Sequence, residues 1–139
     1  HVRSRRQRQM CIETGPALNQ AQELQKKAAK LGFDFETVED AYDKVKEELG
    51  EFEQAIQAQQ SDEIHEEFGD CLFSLINVGR KLGLSSESAL LDTIFKFRQR
   101  FAYIEQQATL QQKILEEMSL QEMDALWDQA KQQLKLGSL

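Results

Sequence analysis

The chain has 139 residues and a net charge of −7, with 40% hydrophobic and 29% charged residues. This length and composition suit one globular domain and exclude a disordered or fibrous protein. The longest apolar runs are too short to cross a bilayer, and the two cysteines form neither a disulfide framework nor a paired zinc motif. We therefore expect a soluble, cytoplasmic protein with no membrane partner.

The chain begins with a basic stretch, "HVRSRRQRQ", in which no aromatic residue alternates with the cations. We interpret residues 1–14 as a flexible N-terminal arm rather than a specific nucleic-acid contact. Residues 15–135 are predicted to form one helical domain, followed by a tail at residues 136–139.

Apolar residues recur at intervals of three and four along the rest of the chain, which indicates helices throughout and no strands. The first helix is predicted to end at Gly32, because glycine accepts the backbone conformation that follows a helix. Five helices are predicted, each opened by a proline or by a capping serine or threonine: Pro16, Thr37, Ser61, Ser85 or Ser86, and Ser119.

Short connections join the second, third and fourth helices, which makes them antiparallel neighbours. The expected fold is therefore all-α, an antiparallel bundle of about five helices with the apolar stripes facing a core. These stripes are broader than one chain can cover, so we expect a dimer or a larger homo-oligomer.

Acidic residues are concentrated between Asp34 and Asp70, where fourteen Asp and Glu residues face two lysines. Such a surface repels nucleic acid, so no specific nucleic-acid partner is expected. Two motifs of the same form occur in this segment, "EELGE" on the second predicted helix and "EEFGD" on the third.

The spacing of these motifs places four carboxylates beside the apolar stripes. At about 100° per residue, Glu48 and Glu67 flank the stripes of their helices, and Glu51 and Asp70 follow one turn later on the same side. Antiparallel packing through the stripes would make all four converge. Because like charges repel, and because hard divalent cations prefer oxygen ligands, this pattern favours a Mg²⁺ site, with Mn²⁺ as a substitute. The alternative is a solvated acidic face that holds no metal.

The fourth predicted helix carries "KFRQRF", with Lys96 and Arg100 four residues apart on one face. Beside a metal site these cations suit a polyphosphate, since arginine forms forked hydrogen bonds and lysine acts as a point charge. The alternative is a solvated basic face paired with nearby acids.

With these residues in place, the sequence resembles the MazG family of all-α nucleoside triphosphate pyrophosphohydrolases. The resemblance covers about residues 17–131 and rests on five segments in family order: "ALNQAQELQKKAAKLGFDF", "DKVKEELGE", "EEFGDCLFSLINVGRKLG", "KFRQRFAYIE" and "SLQEMDALWDQAK". It implies that the metal ligands are Glu48, Glu51, Glu67 and Asp70. It also implies that Lys96 and Arg100 bind the triphosphate.

The resemblance further implies nucleoside contacts at Asn77, Arg80 and Trp127, although Trp127 also fits a core position. The chain departs from the family pattern at two positions. Ile94 stands where an asparagine is expected before the "KF" pair, and Phe35 stands where a tryptophan is often found.

The implied reaction is Mg²⁺-dependent hydrolysis of a ribo- or deoxyribonucleoside triphosphate to the monophosphate and pyrophosphate. Water attacks the α-phosphorus, and Glu48 and Glu67 are the predicted catalytic residues. The implied partners are the nucleoside triphosphate and further copies of the chain, in a homodimer or homotetramer. The alternative function is a catalytically weak bundle that binds metal and nucleotide or a protein partner.

Overall fold

The computed structural model describes residues 15–137, with side chains up to residue 135, and every regular element in that range is helical. The elements in chain order are α1 (Ala17–Lys30), α2 (Val38–Ala58), α3 (Ser61–Lys81), α4 (Ser86–Leu110), a 3-10 turn (Leu115–Glu117) and α5 (Leu120–Gly137). The predicted all-α fold of about five helices is confirmed. The predicted N-terminal arm lies outside the described residues, and the boundaries at residues 15 and 135 stay a prediction.

Three of the helix starts show the predicted side-chain caps. The Thr37 hydroxyl accepts a hydrogen bond from the Asp40 amide at 3.0 Å, and the Ser85 hydroxyl accepts one from the Ser88 amide at 3.1 Å. At α5 the Ser119 hydroxyl accepts from the Glu122 amide at 3.1 Å, while a Glu122 carboxylate oxygen accepts from the Ser119 amide at 3.3 Å. This reciprocal pair is a capping box, which satisfies two amides that the helix itself leaves unpaired.

The predicted cap of α3 is wrong by one residue. Ser61 is already helical, and the preceding residue, Gln60, occupies the N-cap position without a side-chain hydrogen bond. The reason is the tightness of the connection, because Gln59 ends α2 in a left-handed conformation with φ 55°. The chain therefore reverses in two residues and enters α3 early.

Two glycines end helices as expected from their conformational freedom. Gly32 follows α1 with φ 96°, and Gly83 follows α3 with φ 77°, both in the left-handed region that disfavours a Cβ atom. Beyond Gly32, the Phe33 amide donates back to the Ala28 carbonyl at 3.0 Å, which turns the chain toward α2.

Residues 15–89 form one compact unit, in which α2 packs along α3 and α1 packs on α3. Near one end Ala41 and Val45 contact Val78, and near the other the rings of Phe52 and Phe68 are 5.6 Å apart. An early residue of α2 thus contacts a late residue of α3, and a later residue of α2 contacts an earlier residue of α3. The two helices are antiparallel, as predicted.

Residues 90–137 form a second compact unit, which contains most of α4, the 3-10 turn and α5. Its core consists of Ile104, Ala108, Met118 and Leu126. Half-buried side chains, including Phe101 and Trp127, pack against this cluster. The second half of the α4 stripe therefore faces a core, as expected.

Both units leave much of their apolar stripes exposed. In the first unit the exposed residues include Leu49, Ile56, Phe68, Leu72 and Leu75. In the second unit they include Leu90, Leu91, Ile94, Phe95 and Phe97. The exposure of these side chains agrees with the expectation that the stripes are broader than one chain can cover. The predicted oligomer stays a prediction. Across residues 15–137, no helix is both long and apolar enough to cross a membrane.

Candidate functional site

The antiparallel pairing of α2 and α3 brings the two acid motifs together. Glu48, Glu67 and Asp70 each offer one carboxylate oxygen, and these oxygens lie within 4.8 Å of one another. Glu48 is buried, Glu67 is half-buried and Asp70 is exposed. We refer to Glu48, Glu51, Glu67 and Asp70 as the acid cluster. Three of its four members therefore converge from two helices onto one point, with one side open to solvent.

The fourth member, Glu51, lies outside this group of three but acts on Glu67. Burial raises the pKa of Glu67 to about 7, together with the charge and hydrogen bonding of Glu51 and the charges of Asp70 and Glu48. In the absence of a cation, Glu67 therefore holds a proton up to near-neutral pH, which relieves repulsion in the acid cluster.

Two oxygens of the acid cluster fit a cation. The Oε2 atoms of Glu48 and Glu67 are buried and have no hydrogen-bond partner among the described residues. Buried polar atoms are nearly always paired, since an unpaired one costs roughly 1–3 kcal/mol. Carboxylate oxygens gathered from rigid helices are the donors that Mg²⁺ and Mn²⁺ prefer. The residues present thus fit a hard divalent cation.

Lys44 belongs to the same region, and the sequence reasoning gave it no role. Its Nζ atom lies 3.0 Å from Glu48 Oε1 and 3.2 Å from Glu47 Oε1. These hydrogen bonds raise the pKa of Lys44, with the bond to Glu48 the larger cause. The signal was present in "KVKEE", because residues four apart on a helix face each other. Lys44 leaves Glu48 Oε2 as the oxygen of that carboxylate without a partner.

The predicted phosphate ligands lie in the second unit. Lys96 and Arg100 line a groove of about 570 Å³ together with Lys131 and Lys135 of α5. We refer to these four cations as the basic groove. The sequence reasoning missed the two lysines of α5, although they too are four residues apart and so share one helix face. Four positive side chains around one groove can bind a polyanion.

Trp127 is half-buried beside the basic groove. Its ring centroid is 5.4 Å from that of Phe97, and the Arg100 guanidinium carbon lies 5.4 Å from the Trp127 ring centroid. Trp127 also packs against the core of its unit. This placement supports the core interpretation and adds a second contact, because the ring holds the Arg100 side chain by a cation–π interaction.

Asn77 and Arg80 lie in the last turns of α3 and hold the loop after α1. Arg80 Nε donates to Asn77 Oδ1 at 2.8 Å, and Arg80 Nη2 donates to Asp34. Lys81 Nζ donates to the Phe35 carbonyl at 2.7 Å. Although burial would raise the pKa of Asp34, the hydrogen bond and charge of Arg80 and the charge of Lys81 lower it. Asn77 and Arg80 also line a cavity of about 460 Å³.

Comparison with known proteins relates this geometry to a family. The family model described as "MazG nucleotide pyrophosphohydrolase domain" matches residues 36–104, a range that includes the acid cluster, Lys96 and Arg100. A Thermotoga maritima protein named nucleoside triphosphate pyrophosphohydrolase/pyrophosphatase MazG is 39% identical over 116 residues. The chain belongs to the MazG family.

Two further relatives of this MazG chain extend the comparison. The Escherichia coli nucleoside triphosphate pyrophosphohydrolase is 36% identical over 120 residues, and the uncharacterized protein YabN of Bacillus subtilis is 50% identical over 66 residues. The match to the Thermotoga protein covers 84% of this chain and 44% of that protein. The match to the Escherichia protein covers 85% of this chain and 46% of that protein. The match to the Bacillus protein covers 48% of this chain and 14% of that protein. This MazG chain therefore spans less than half the length of its relatives.

Proposed function

We propose that this MazG chain hydrolyses nucleoside triphosphates to monophosphates and pyrophosphate in a Mg²⁺-dependent reaction in the cytoplasm. The observation that carries the proposal is the acid cluster, with two buried carboxylate oxygens that lack a partner among the described residues. The Thermotoga and Escherichia relatives, both named as nucleoside triphosphate pyrophosphohydrolases, support the reaction and the substrate class.

The proposed ligands of the Mg²⁺ ion are the four residues of the acid cluster, and Mn²⁺ is a substitute with the same preference for oxygen. A bound Mg²⁺ ion neutralises phosphate charge and lowers the pKa of water in its coordination shell. The cluster lies on two packed helices rather than on loops, which suits it to hold a cation in a fixed position.

Glu48 and Glu67 are the proposed catalytic residues. Both belong to the acid cluster, and a carboxylate oxygen of either residue that is not bound to the cation can accept a proton. In the proposed reaction, one of them takes the proton from the water that attacks the α-phosphorus. No covalent intermediate with the protein is required, because water itself is the nucleophile.

The basic groove is the proposed binding site for the triphosphate. Arg100 can form two parallel hydrogen bonds to phosphate oxygens, while the lysines contribute point charges. For the nucleoside we propose contacts at Asn77, Arg80 and Trp127. Asn77 and Arg80 line the cavity of about 460 Å³, which supports this role, and Trp127 borders the basic groove through Arg100.

We further propose that the chain works as a homodimer or homotetramer. The support comes from the exposed apolar side chains of both units, such as Leu75 at 54% and Phe97 at 55% exposure. Contiguous exposed apolar surface is typical of faces that another chain covers. Size-exclusion chromatography with light scattering tests this, and a monomer at micromolar concentration would contradict it.

Product analysis tests the proposed reaction. The purified chain is incubated with the ribo- and deoxyribonucleoside triphosphates, with Mg²⁺ or with a chelator, and pyrophosphate is resolved from orthophosphate. We expect pyrophosphate and monophosphate in equal amounts, and only when Mg²⁺ is present. Orthophosphate with a diphosphate, or no product from any nucleotide, would contradict the proposal.

A further inference from the structure

A cavity of about 460 Å³ lies in the first unit between α1, the loop after it and α3. Three phenylalanines form much of its wall: Phe33, Phe35 and Phe73. Among its polar side chains are Gln25 and Asn77. A mostly apolar cavity of this size with a few polar groups is typical of a small-molecule site, and aromatic walls suit the flat face of a nucleobase.

Gln25 lines this cavity and carries an unpaired acceptor atom. Its side chain is 6% exposed, and its Nε2 atom donates to the Phe73 carbonyl oxygen at 2.8 Å. Because a carbonyl oxygen can only accept, this bond fixes the orientation of the amide and identifies the other atom as Oε1. Oε1 is buried and has no hydrogen-bond partner among the described residues. A donor from a bound molecule would satisfy it.

Gln22, one turn earlier on α1, provides an internal comparison. It is also buried, at 8% exposure, but its Oε1 atom accepts a hydrogen bond from the Ser86 amide at 3.0 Å. Gln22 is not among the residues that line the cavity. Of these two buried glutamines, Gln25 alone combines a place in the cavity wall with an unpaired acceptor.

We propose that Gln25 recognises the nucleobase of the substrate, with Oε1 accepting an N–H of the base edge while the base lies among the phenylalanines. The identity of the ligand as a nucleotide rests on the proposed function. Asn77 complements Gln25, because Arg80 Nε already donates to its Oδ1 atom and its NH₂ group can donate to a base acceptor.

This arrangement has a consequence for the range of substrates. Each of the common bases presents an N–H group next to an acceptor atom on its pairing edge. One acceptor from α1 and one donor from α3 therefore tolerate several bases but require an N–H on the base. The pocket is expected to discriminate against analogues that lack this group, because the buried acceptor would then stay unpaired.

The test compares ATP with purine riboside triphosphate, in which the 6-amino group is replaced by hydrogen and the base has no N–H donor. CTP and pyrimidin-2-one riboside triphosphate form a parallel pair. For the wild type we expect kcat/KM to be about tenfold higher for the amino-bearing nucleotide, mainly through a lower KM. Equal values for both members of both pairs would overturn the proposal, and this comparison needs no variant.

Two matched variants assign the effect to one residue. Gln25→Met removes the acceptor at similar volume, and we expect its preference for the amino-bearing nucleotide to fall to within about twofold. Gln22→Met removes a buried glutamine whose acceptor is already paired, and we expect it to keep the wild-type preference. A full preference in Gln25→Met, with wild-type melting behaviour, would overturn the proposal.

Binding separates this inference from the proposed reaction. Calorimetry with AMP and with purine riboside monophosphate measures the same contact without turnover, and we expect about tenfold tighter binding of AMP. If the wild type releases no pyrophosphate yet binds AMP more tightly, the proposed reaction fails and the base contact stands. If it releases pyrophosphate yet binds both monophosphates equally, the base contact fails and the reaction stands.

Discussion

The acid cluster and the basic groove differ in both charge and burial. The acid cluster is partly buried between two packed helices, and this burial, followed by the charges of the neighbouring carboxylates, raises the pKa of Glu67 to about 7. The basic groove is open, and its four cations include exposed lysines that water solvates. Repulsion in the acid cluster therefore destabilises the folded state, and a bound cation would remove this repulsion. The solvated cations of the basic groove destabilise the folded state little. Changes in the acid cluster should therefore have the larger effects.

The largest effect is expected for Glu67→Gln. This substitution removes a proposed ligand and catalytic group while it preserves shape, and it should lower kcat by roughly a hundredfold or more. Glu66→Gln is the matched control, because Glu66 is the neighbouring exposed residue on α3 and should keep wild-type turnover. The measurement is pyrophosphate release with helix content monitored by circular dichroism. Unchanged turnover in Glu67→Gln would remove Glu67 from the site.

In the basic groove, Arg100→Met should raise the KM for the triphosphate roughly tenfold or more, because a charged hydrogen-bond donor to phosphate is lost. The methionine keeps an apolar stem beside Trp127. Arg98→Met is the control, since Arg98 is an exposed cation of the same helix that does not line the groove. Steady-state kinetics separate the two variants, and equal KM values would contradict the assignment.

Mg²⁺ should stabilise the acid cluster and leave the basic groove unaffected. At a free Mg²⁺ concentration about 100 times Kd, the free energy of unfolding should rise by about 2.7 kcal/mol. This rise corresponds to an increase of roughly 10 °C in Tm. KCl at equal ionic strength controls for screening. In Glu67→Gln the response to Mg²⁺ should shrink. If KCl produced the same rise as Mg²⁺, the effect would be one of ionic strength rather than of a site.

The smallest expected effect is on the pH dependence of the metal-free chain. The pKa of Glu67 is raised from 4.5 to about 7, so the folded state binds this proton more tightly than the unfolded chain does. Its contribution to stability is fully present below pH 4.5 and is lost as pH rises through about 7. In chelator, Tm should fall by about 1–2 °C between pH 5 and pH 8, and less in Glu67→Gln. A rise over this interval would contradict the assignment.

The sequence predicted those features that depend on local spacing. The caps at Thr37 and Ser119 follow from side chains that bond amides three residues away. The meeting of Glu48 with Glu67 follows from helical periodicity combined with one short connection, which forces α2 and α3 to be antiparallel. Both inferences need no knowledge of distant parts of the chain.

Features that depend on tertiary partners were missed. Lys131 joins Lys96 because α5 lies beside α4, and no spacing in the sequence states that pairing. Gln25 is buried although glutamine is usually exposed, because the Phe73 carbonyl satisfies its NH₂ group. The exposed apolar stripes show the same limit from the other side. Periodicity identifies an apolar face such as that of Leu75, but it does not identify what covers it.

The hydrogen bonds from Arg80 and Lys81 to the loop after α1 determine where the protein can tolerate change. They connect the loop around Asp34 and Phe35 to the end of α3. The loop and α3 form two walls of the cavity, so these hydrogen bonds hold the two walls together. The side chain of Phe33 lines the cavity at 83% exposure and takes no part in these hydrogen bonds. Directed evolution of substrate range should therefore succeed by varying Phe33 and fail by varying Asp34. A substitution at Phe33 changes the cavity wall, while the hydrogen bonds to Asp34 and Phe35 keep the loop in place.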